Sequence, residues 1–116
     1  MELKDLMKKK NFVVLGSYKN TEKKAYEIYE KLKSIGKNVR GISKDESLDD
    51  VDFDIEVLDI CMNYHLSIEI IKNTSKHIEA AIIQPGAENE ELFAFLTKKN
   101  IPYIEACALV GATLYA

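Results

Sequence analysis

The residues best suited to bind an anion follow the first apolar run of the chain, residues 12–15. They form a polar loop that leads into a predicted helix, where free N–H groups and the positive helix end attract phosphate. Lysines add local positive charge to a chain whose net charge is −3. The alternative is a solvated loop with surface lysines. The candidate phosphate-binding residues are Gly16, Ser17, Tyr18, Lys19, Asn20 and Lys24.

A second polar turn, residues 84–89, follows another apolar run. Pro85 and Gly86 stop the preceding strand, and Asn89 is a suitable N-cap for the next helix. A well-made turn explains these three residues, but it does not explain Gln84, a polar residue at the mouth of a buried strand. The sequence leaves open whether Gln84 faces a ligand.

The two cysteines, Cys61 and Cys107, end the third and fifth predicted strands. In the strand order given below they would lie at opposite edges of the sheet, about 19 Å apart, which is too far for a disulfide. A small buried hydrophobe is the commoner role of such cysteines, and Cys107 is the better candidate for exposure. Asp59 lies inside the third strand. We favour a buried carboxylate with its hydrogen bonds satisfied over a site residue.

Apolar periodicity and turn residues divide the chain into alternating strands and helices. Gly36 is predicted to follow the end of the first long helix, and Asn63 and Asn89 are predicted to begin the next two. The predicted strands are residues 12–15, 38–43, 53–62, 80–83 and 103–106.

This alternation predicts an α/β fold, a single domain over residues 1–116 with a doubly wound, parallel, five-stranded, Rossmann-like sheet of strand order 3-2-1-4-5. Ligands bind outside the carboxyl ends of the strands in such sheets. That edge brings the first loop together with Ser43, Lys44, Cys61, Met62, Gln84, Gly86 and Cys107.

Composition and charge exclude several classes of protein. With 47% hydrophobic and 30% charged residues, the chain has the composition of a globular domain. Its negative net charge disfavours nucleic acid as a partner, and no apolar run approaches the roughly 20 residues that span a bilayer. The first twelve residues lack the apolar segment of a secretory signal, so we expect a cytoplasmic protein without a membrane partner.

Two kinds of site are also disfavoured. A nicotinamide-dinucleotide loop requires G-x-G-x-x-G, but Tyr18 stands where the second glycine would be. A metal site is not expected, because no third ligand shares the spacing of His65 and His77.

Short matches in order over residues 11–107 resemble the small stand-alone CoA-binding-domain proteins, which share the Rossmann-like CoA-binding fold of the succinyl-CoA synthetase α subunit. The most specific match is Gln84-x-Gly86 followed by Asn89-Glu90-Glu91. The other matches are Val13-Val14 with Gly16, Asn20 with Tyr26, Leu58-Asp59-Ile60, and Glu105-Ala106-Cys107.

The resemblance implies a nucleotide-type small-molecule ligand, coenzyme A or an acyl-CoA, bound without evident catalysis. Its diphosphate would lie on residues 16–21, and Gln84 and Gly86 would face the pantetheine. A variant is a mixed disulfide between Cys107 and the CoA thiol. The adenine would lie between the ends of the second and third strands, near Ser43, Lys44, and Cys61 or Met62.

Two alternatives remain. Met62 and Ala106 stand where the family commonly carries arginine, which favours an interaction domain that kept the fold and lost the ligand. The apolar tail, residues 108–116, would then pack on the sheet edge or on another subunit, which leaves a homodimer open. A minimal nucleotide-dependent enzyme is disfavoured, because no catalytic base and no second substrate domain is recognisable.

Overall fold

The computed structural model describes all 116 residues. They form one parallel sheet and five α-helices, and a 3₁₀ turn spans Leu48–Asp50. The strands are β1 (Asn11–Leu15), β2 (Asn38–Ile42), β3 (Ile55–Ile60), β4 (Ile78–Ile83) and β5 (Tyr103–Glu105). The helices are α1 (Leu3–Met7), α2 (Lys24–Ser34), α3 (Tyr64–Lys72), α4 (Glu90–Lys98) and α5 (Ala108–Tyr115).

Three helix ends follow from local sequence chemistry and confirm the predictions. The side-chain oxygen of Asn63 accepts the N–H of His65 at 2.8 Å at the start of α3. Asn89 does the same for Glu91 at 2.8 Å at the start of α4. Gly36 follows the end of α2 with a φ of 85°, a conformation that glycine adopts without steric cost.

The five parallel strands are confirmed, but the predicted strand order is wrong, because the sheet runs β2-β1-β3-β4-β5. The short connection after β2 passes β1, so β3 pairs with β1 and β2 becomes an edge strand. Strand burial gives the physical reason. Five of the six β3 residues are buried, whereas Asn38 of β2 is exposed and Arg40 only half-buried. Central strands of a parallel sheet are covered on both faces and must be apolar.

The helices cover both faces of the sheet and build two apolar clusters. On one face, α1, α2 and α5 pack against the strands through residues such as Ile28 and Ala108. On the other, α3, α4 and the 3₁₀ turn contribute Leu48, Ile71 and Leu96. The direction of winding reverses between β1 and β3. The loops after these two strands therefore diverge, and doubly wound sheets bind ligands at this point.

The apolar tail forms α5 and packs on its own chain. Gly111 of α5 lies against Leu3 and Met7 of α1, so the inner side of the tail is covered by the first helix of the same chain. Its outer side exposes Val110, Leu114 and Tyr115. No helix of the chain has the length and apolar content to cross a membrane.

Candidate ligand-binding cleft

The strands β1 and β3 end side by side where the winding reverses. The N–H of Gly16 donates to the carbonyl of Ile42 at 2.9 Å, and the N–H of Cys61 donates to the carbonyl of Leu15 at 2.8 Å. A Cβ on residue 16 would lie 2.9 Å from the Cys61 carbonyl oxygen, so glycine is needed for this close approach. Gly16 therefore forms the floor from which the two loops separate.

Two cavities adjoin above this floor, and Met62 lines both of them. The β1–β2 cavity, of about 320 Å³, is lined by Ser17, Tyr18, Lys19, Asn20, Ser43, Lys44, Asp45, Met62 and Leu66. The β3–β5 cavity, of about 390 Å³, is lined by Lys24, Cys61, Met62, Asn63, Gln84, Pro85, Gly86, Ala87 and Cys107.

Every predicted site residue except Gly16 lines one of these cavities. The prediction placed either Cys61 or Met62 beside Ser43 and Lys44. Met62 shares the β1–β2 cavity with them, and Cys61 lines the other cavity.

The first turn of α2 is open to an anion. The N-cap residue Lys23 makes no side-chain cap, unlike the asparagines that begin α3 and α4. The N–H groups of Lys24 and Ala25 make no hydrogen bond within the chain. The Lys24 ammonium lies 3.7 Å from the Glu27 carboxylate in an exposed pair, which binds it only weakly. Helix α2 thus begins at the β3–β5 cavity with two N–H groups that have no partner within the chain and with the positive end of its dipole.

The side chain of Tyr18 is folded back into the protein. Its ring is only 9% exposed, packs on the Cα of Gly41 and lies 5.1 Å from the Tyr29 ring. The hydroxyl donates to the Glu46 carboxylate at 3.2 Å. Burial raises the pKa of Tyr18, and the Glu46 charge raises it further. A predicted ligand contact is therefore largely a packing residue, although its edge still lines the β1–β2 cavity.

The two ends of the Gln84 amide lie in different surroundings. The side chain is 5% exposed, and its oxygen accepts the N–H of Ala108 at 2.6 Å, which holds the first turn of α5. The side-chain nitrogen makes no hydrogen bond within the chain, and Gln84 lines the β3–β5 cavity. One end of the amide is structural, and the other end keeps two N–H donors.

The two cysteines lie on the same cavity. Their predicted placement at opposite edges of the sheet is wrong, because only β4 separates β3 from β5. Both thiols are free. The Cys61 thiol donates to the Asp59 carboxylate at 3.1 Å. Burial raises the pKa of Cys61, and the Asp59 charge raises it further.

Asp59 is fully buried beneath the cleft, as predicted, but it is not satisfied. Its Oδ2 accepts from Cys61, whereas its Oδ1 has no hydrogen-bond partner. Burial raises the pKa of this carboxyl from 3.8 to about 7.

The two thiols are expected to differ in reactivity. Alkylation needs the thiolate, which burial and Asp59 disfavour at Cys61. We expect iodoacetamide to modify Cys107 of the folded protein at least about tenfold faster than Cys61. Peptide mapping by mass spectrometry would measure both rates, with the urea-unfolded chain as the control in which the rates converge. Faster modification of Cys61 in the folded protein would contradict this assignment.

Comparison with known proteins decides the family. Residues 10–113 match the sequence profile of a family described as a CoA binding domain. The chain belongs to the CoA-binding domain family. The resemblance found from its short motifs is therefore confirmed, and no curated protein matches the chain.

Solved structures share the fold of this CoA-binding domain. A conserved hypothetical protein from Pyrococcus furiosus has 23% identity and a TM-score of 0.77, over 88% of this chain and 98% of its own. A hypothetical protein from Pyrococcus horikoshii has 16% identity and a TM-score of 0.85, over 97% and 89%. A Thermus thermophilus protein has 17% identity and a TM-score of 0.74, over 100% of both chains.

Glu46 of this CoA-binding domain is a functional candidate that was not predicted from the sequence. Glu46 accepts the N–H and the hydroxyl of Ser43, each at 2.9 Å, and the backbone N–H bond is the main reason that its pKa is lowered. The S-x-x-E spacing from Ser43 to Glu46 resembles that of a capping box and could have indicated this contact. No group of three or more potential ligands among the His, Cys, Asp and Glu side chains lies close enough to hold a metal ion.

Proposed function

We propose that this chain binds coenzyme A or an acyl-CoA across the two cavities. The observation that carries the placement is that the segment from Ser17 to Lys24 borders both of them, Ser17 at the β1–β2 cavity and Lys24 at the β3–β5 cavity. CoA has the matching order of groups, since its diphosphate joins a nucleotide to an extended pantetheine. The diphosphate would lie at the first turn of α2, where the N–H groups are free.

The β1–β2 cavity suits the nucleotide. Lys19 and Lys44 line it from the two loops, and Met62 and Leu66 offer apolar surface to a base. Lysines act as point charges and lack the bidentate fork of the arginines that the family commonly carries. We therefore propose phosphate recognition that depends on charge and weakens with salt.

The β3–β5 cavity suits the pantetheine and its thiol. The free N–H groups of Gln84 can donate to a pantetheine amide carbonyl. Cys107 lines the same cavity and would lie near the sulfur end of the ligand. An acyl group would be accommodated here, beyond Gly86.

A thermal-shift titration tests the proposal. CoA, acetyl-CoA, 3′-dephospho-CoA, NAD and ATP are compared at low and moderate salt. A ligand at about a hundred times its Kd stabilises the folded state by about 2.7 kcal/mol, which gives a clear rise in Tm. We expect that rise with CoA and not with NAD. No rise with any CoA derivative would refute the proposal and favour a protein-interaction domain, with the exposed side of α5 as the first surface to test.

The lysines at the cleft are expected to contribute through charge. Lys19→Ala and Lys24→Ala should each raise the Kd for CoA by about three- to tenfold, and the double variant should flatten its salt dependence. Calorimetric titration at two salt concentrations measures both effects. Lys33→Ala is the matched control, because it removes an exposed charge near the other end of α2. Equal Kd values for the control and the cleft variants would contradict the placement.

A further inference from the structure

One carboxylate ties the loop after β1 to the loop after β2. Glu46 accepts three hydrogen bonds, from the N–H of Ser43, from the Ser43 hydroxyl and from the Tyr18 hydroxyl, at 2.9, 2.9 and 3.2 Å. Ser43 and Tyr18 both line the β1–β2 cavity. We call the three residues Tyr18, Ser43 and Glu46 the latch. The two walls of that cavity are thus joined by side-chain bonds before any ligand is present.

The ring of Tyr18 extends the latch into the core. It fills the space over Gly41, where a methyl group would overlap its atoms, and it packs against Tyr29 at 5.1 Å. The Lys19 ammonium lies 5.5 Å from the centre of the same ring, within the range of a cation–π contact. The buried ring therefore fixes the backbone at residue 18 and also places the neighbouring cation at the cavity.

The protonation states suit this arrangement. Hydrogen bonds lower the pKa of Glu46, and the bond from the backbone N–H of Ser43 has the largest effect. Burial raises the pKa of Tyr18. At neutral pH Glu46 is a charged acceptor and Tyr18 a donor. The other charged groups at this cavity are Lys19, Lys44 and Asp45. The Lys19 charge acts on both ends of the latch, since it opposes the rise in the pKa of Tyr18 and helps to lower the pKa of Glu46.

We propose that Tyr18 and Glu46 are positioning residues for ligand binding, which hold the loop of residues 17–20 against Ser43 and so preform the β1–β2 cavity. The proposal rests on the proposed function and adds residues that shape its nucleotide side. A loop that is already held in place loses less conformational entropy when a ligand binds, and the affinity is correspondingly higher. The bulk of Tyr18 thus does not obstruct a phosphate, because its ring is buried over Gly41.

Glu46→Ala and Glu46→Gln separate positioning from simple stability. Alanine removes every acceptor of the latch, whereas glutamine keeps one oxygen for Ser43 and Tyr18. We expect Glu46→Ala to raise the Kd for CoA by about tenfold and to speed amide hydrogen exchange at residue 43 by a similar factor. Glu46→Gln should stay within about twofold of the parent protein in both measurements. Glu30→Ala, on the exposed side of α2, is the control for loss of a carboxylate.

Tyr18→Phe provides a second variant that keeps the ring and loses only the hydroxyl bond. We expect it to weaken CoA binding by about threefold. Parent-like CoA binding by both Glu46→Ala and Tyr18→Phe would overturn the latch while leaving CoA binding intact. If the parent protein binds no CoA, the proposed function fails, and exchange in the ligand-free protein still decides the latch. Unchanged exchange at residue 43 in Glu46→Ala overturns it, and faster exchange supports it.

Discussion

Asp59→Asn is expected to remove most of the pH dependence of stability between about pH 4 and pH 7. Burial raises the pKa of Asp59 from 3.8 to about 7, so the folded protein holds a proton that the unfolded chain has lost. Stability therefore falls as the pH rises through this window, and the full penalty applies above it. A shift of this size corresponds to about 3 kcal/mol between roughly pH 4.5 and pH 8.

Urea unfolding at those two pH values measures the effect. Asparagine keeps the shape of the side chain but does not ionise. Any loss of stability from its unpaired polar atom is therefore the same at both pH values. Asp52→Asn is the control, because Asp52 is exposed and close by in the chain. If Asp59→Asn and the parent protein show the same difference in unfolding free energy between the two pH values, Asp59 is not the buried acid responsible.

Gly41→Ala is expected to destabilise the protein by about 2 kcal/mol, because the added methyl overlaps the buried ring of Tyr18. Gly41 lies in β2, where alanine is otherwise tolerated. The position thus needs glycine for space. Because the added methyl displaces the ring of Tyr18, the proposed binding of CoA at the β1–β2 cavity should weaken together with stability.

A double-mutant cycle with Tyr18→Ala isolates the contact. In the Tyr18→Ala background the methyl has room, so Gly41→Ala should cost less than about 0.5 kcal/mol there. Chemical unfolding of the four proteins measures the coupling. An equal cost of Gly41→Ala in both backgrounds would mean that the ring does not occupy the space over Gly41.

Much of the fold could be predicted because local chemistry determines it. Asparagine caps and a glycine after α2 mark helix ends through contacts within a few residues. The helix ends predicted at Asn63, Asn89 and Gly36 were therefore correct. Strand order depends on which strands tolerate burial on both faces. The polar residues of β2 indicate that this strand lies at an edge of the sheet. Helix α5 was missed, because its run of small apolar residues has no clear amphipathic period and gains its stability from packing on α1.

The sequence indicated which residues lie at the cleft better than it indicated how they are arranged there. Loop residues at the carboxyl ends of parallel strands must meet at one edge, so Lys19, Ser43 and Gln84 all reached the cleft. Distances across the sheet depend on strand order, which is why the separation of the two cysteines was wrong. The bond between Tyr18 and Glu46 spans 28 positions in sequence, and only the folded chain reveals it.

The outer strands β2 and β5 are poor templates for another strand. β5 has three residues and follows Pro102, and β2 carries Asn38 and Arg40, whose guanidinium donates to the Asp50 carbonyl at 2.9 Å. Short, polar or proline-flanked edges resist edge-to-edge pairing. Strand addition at either edge of the native sheet is therefore disfavoured, and we expect contacts between copies of this chain to use a helical surface.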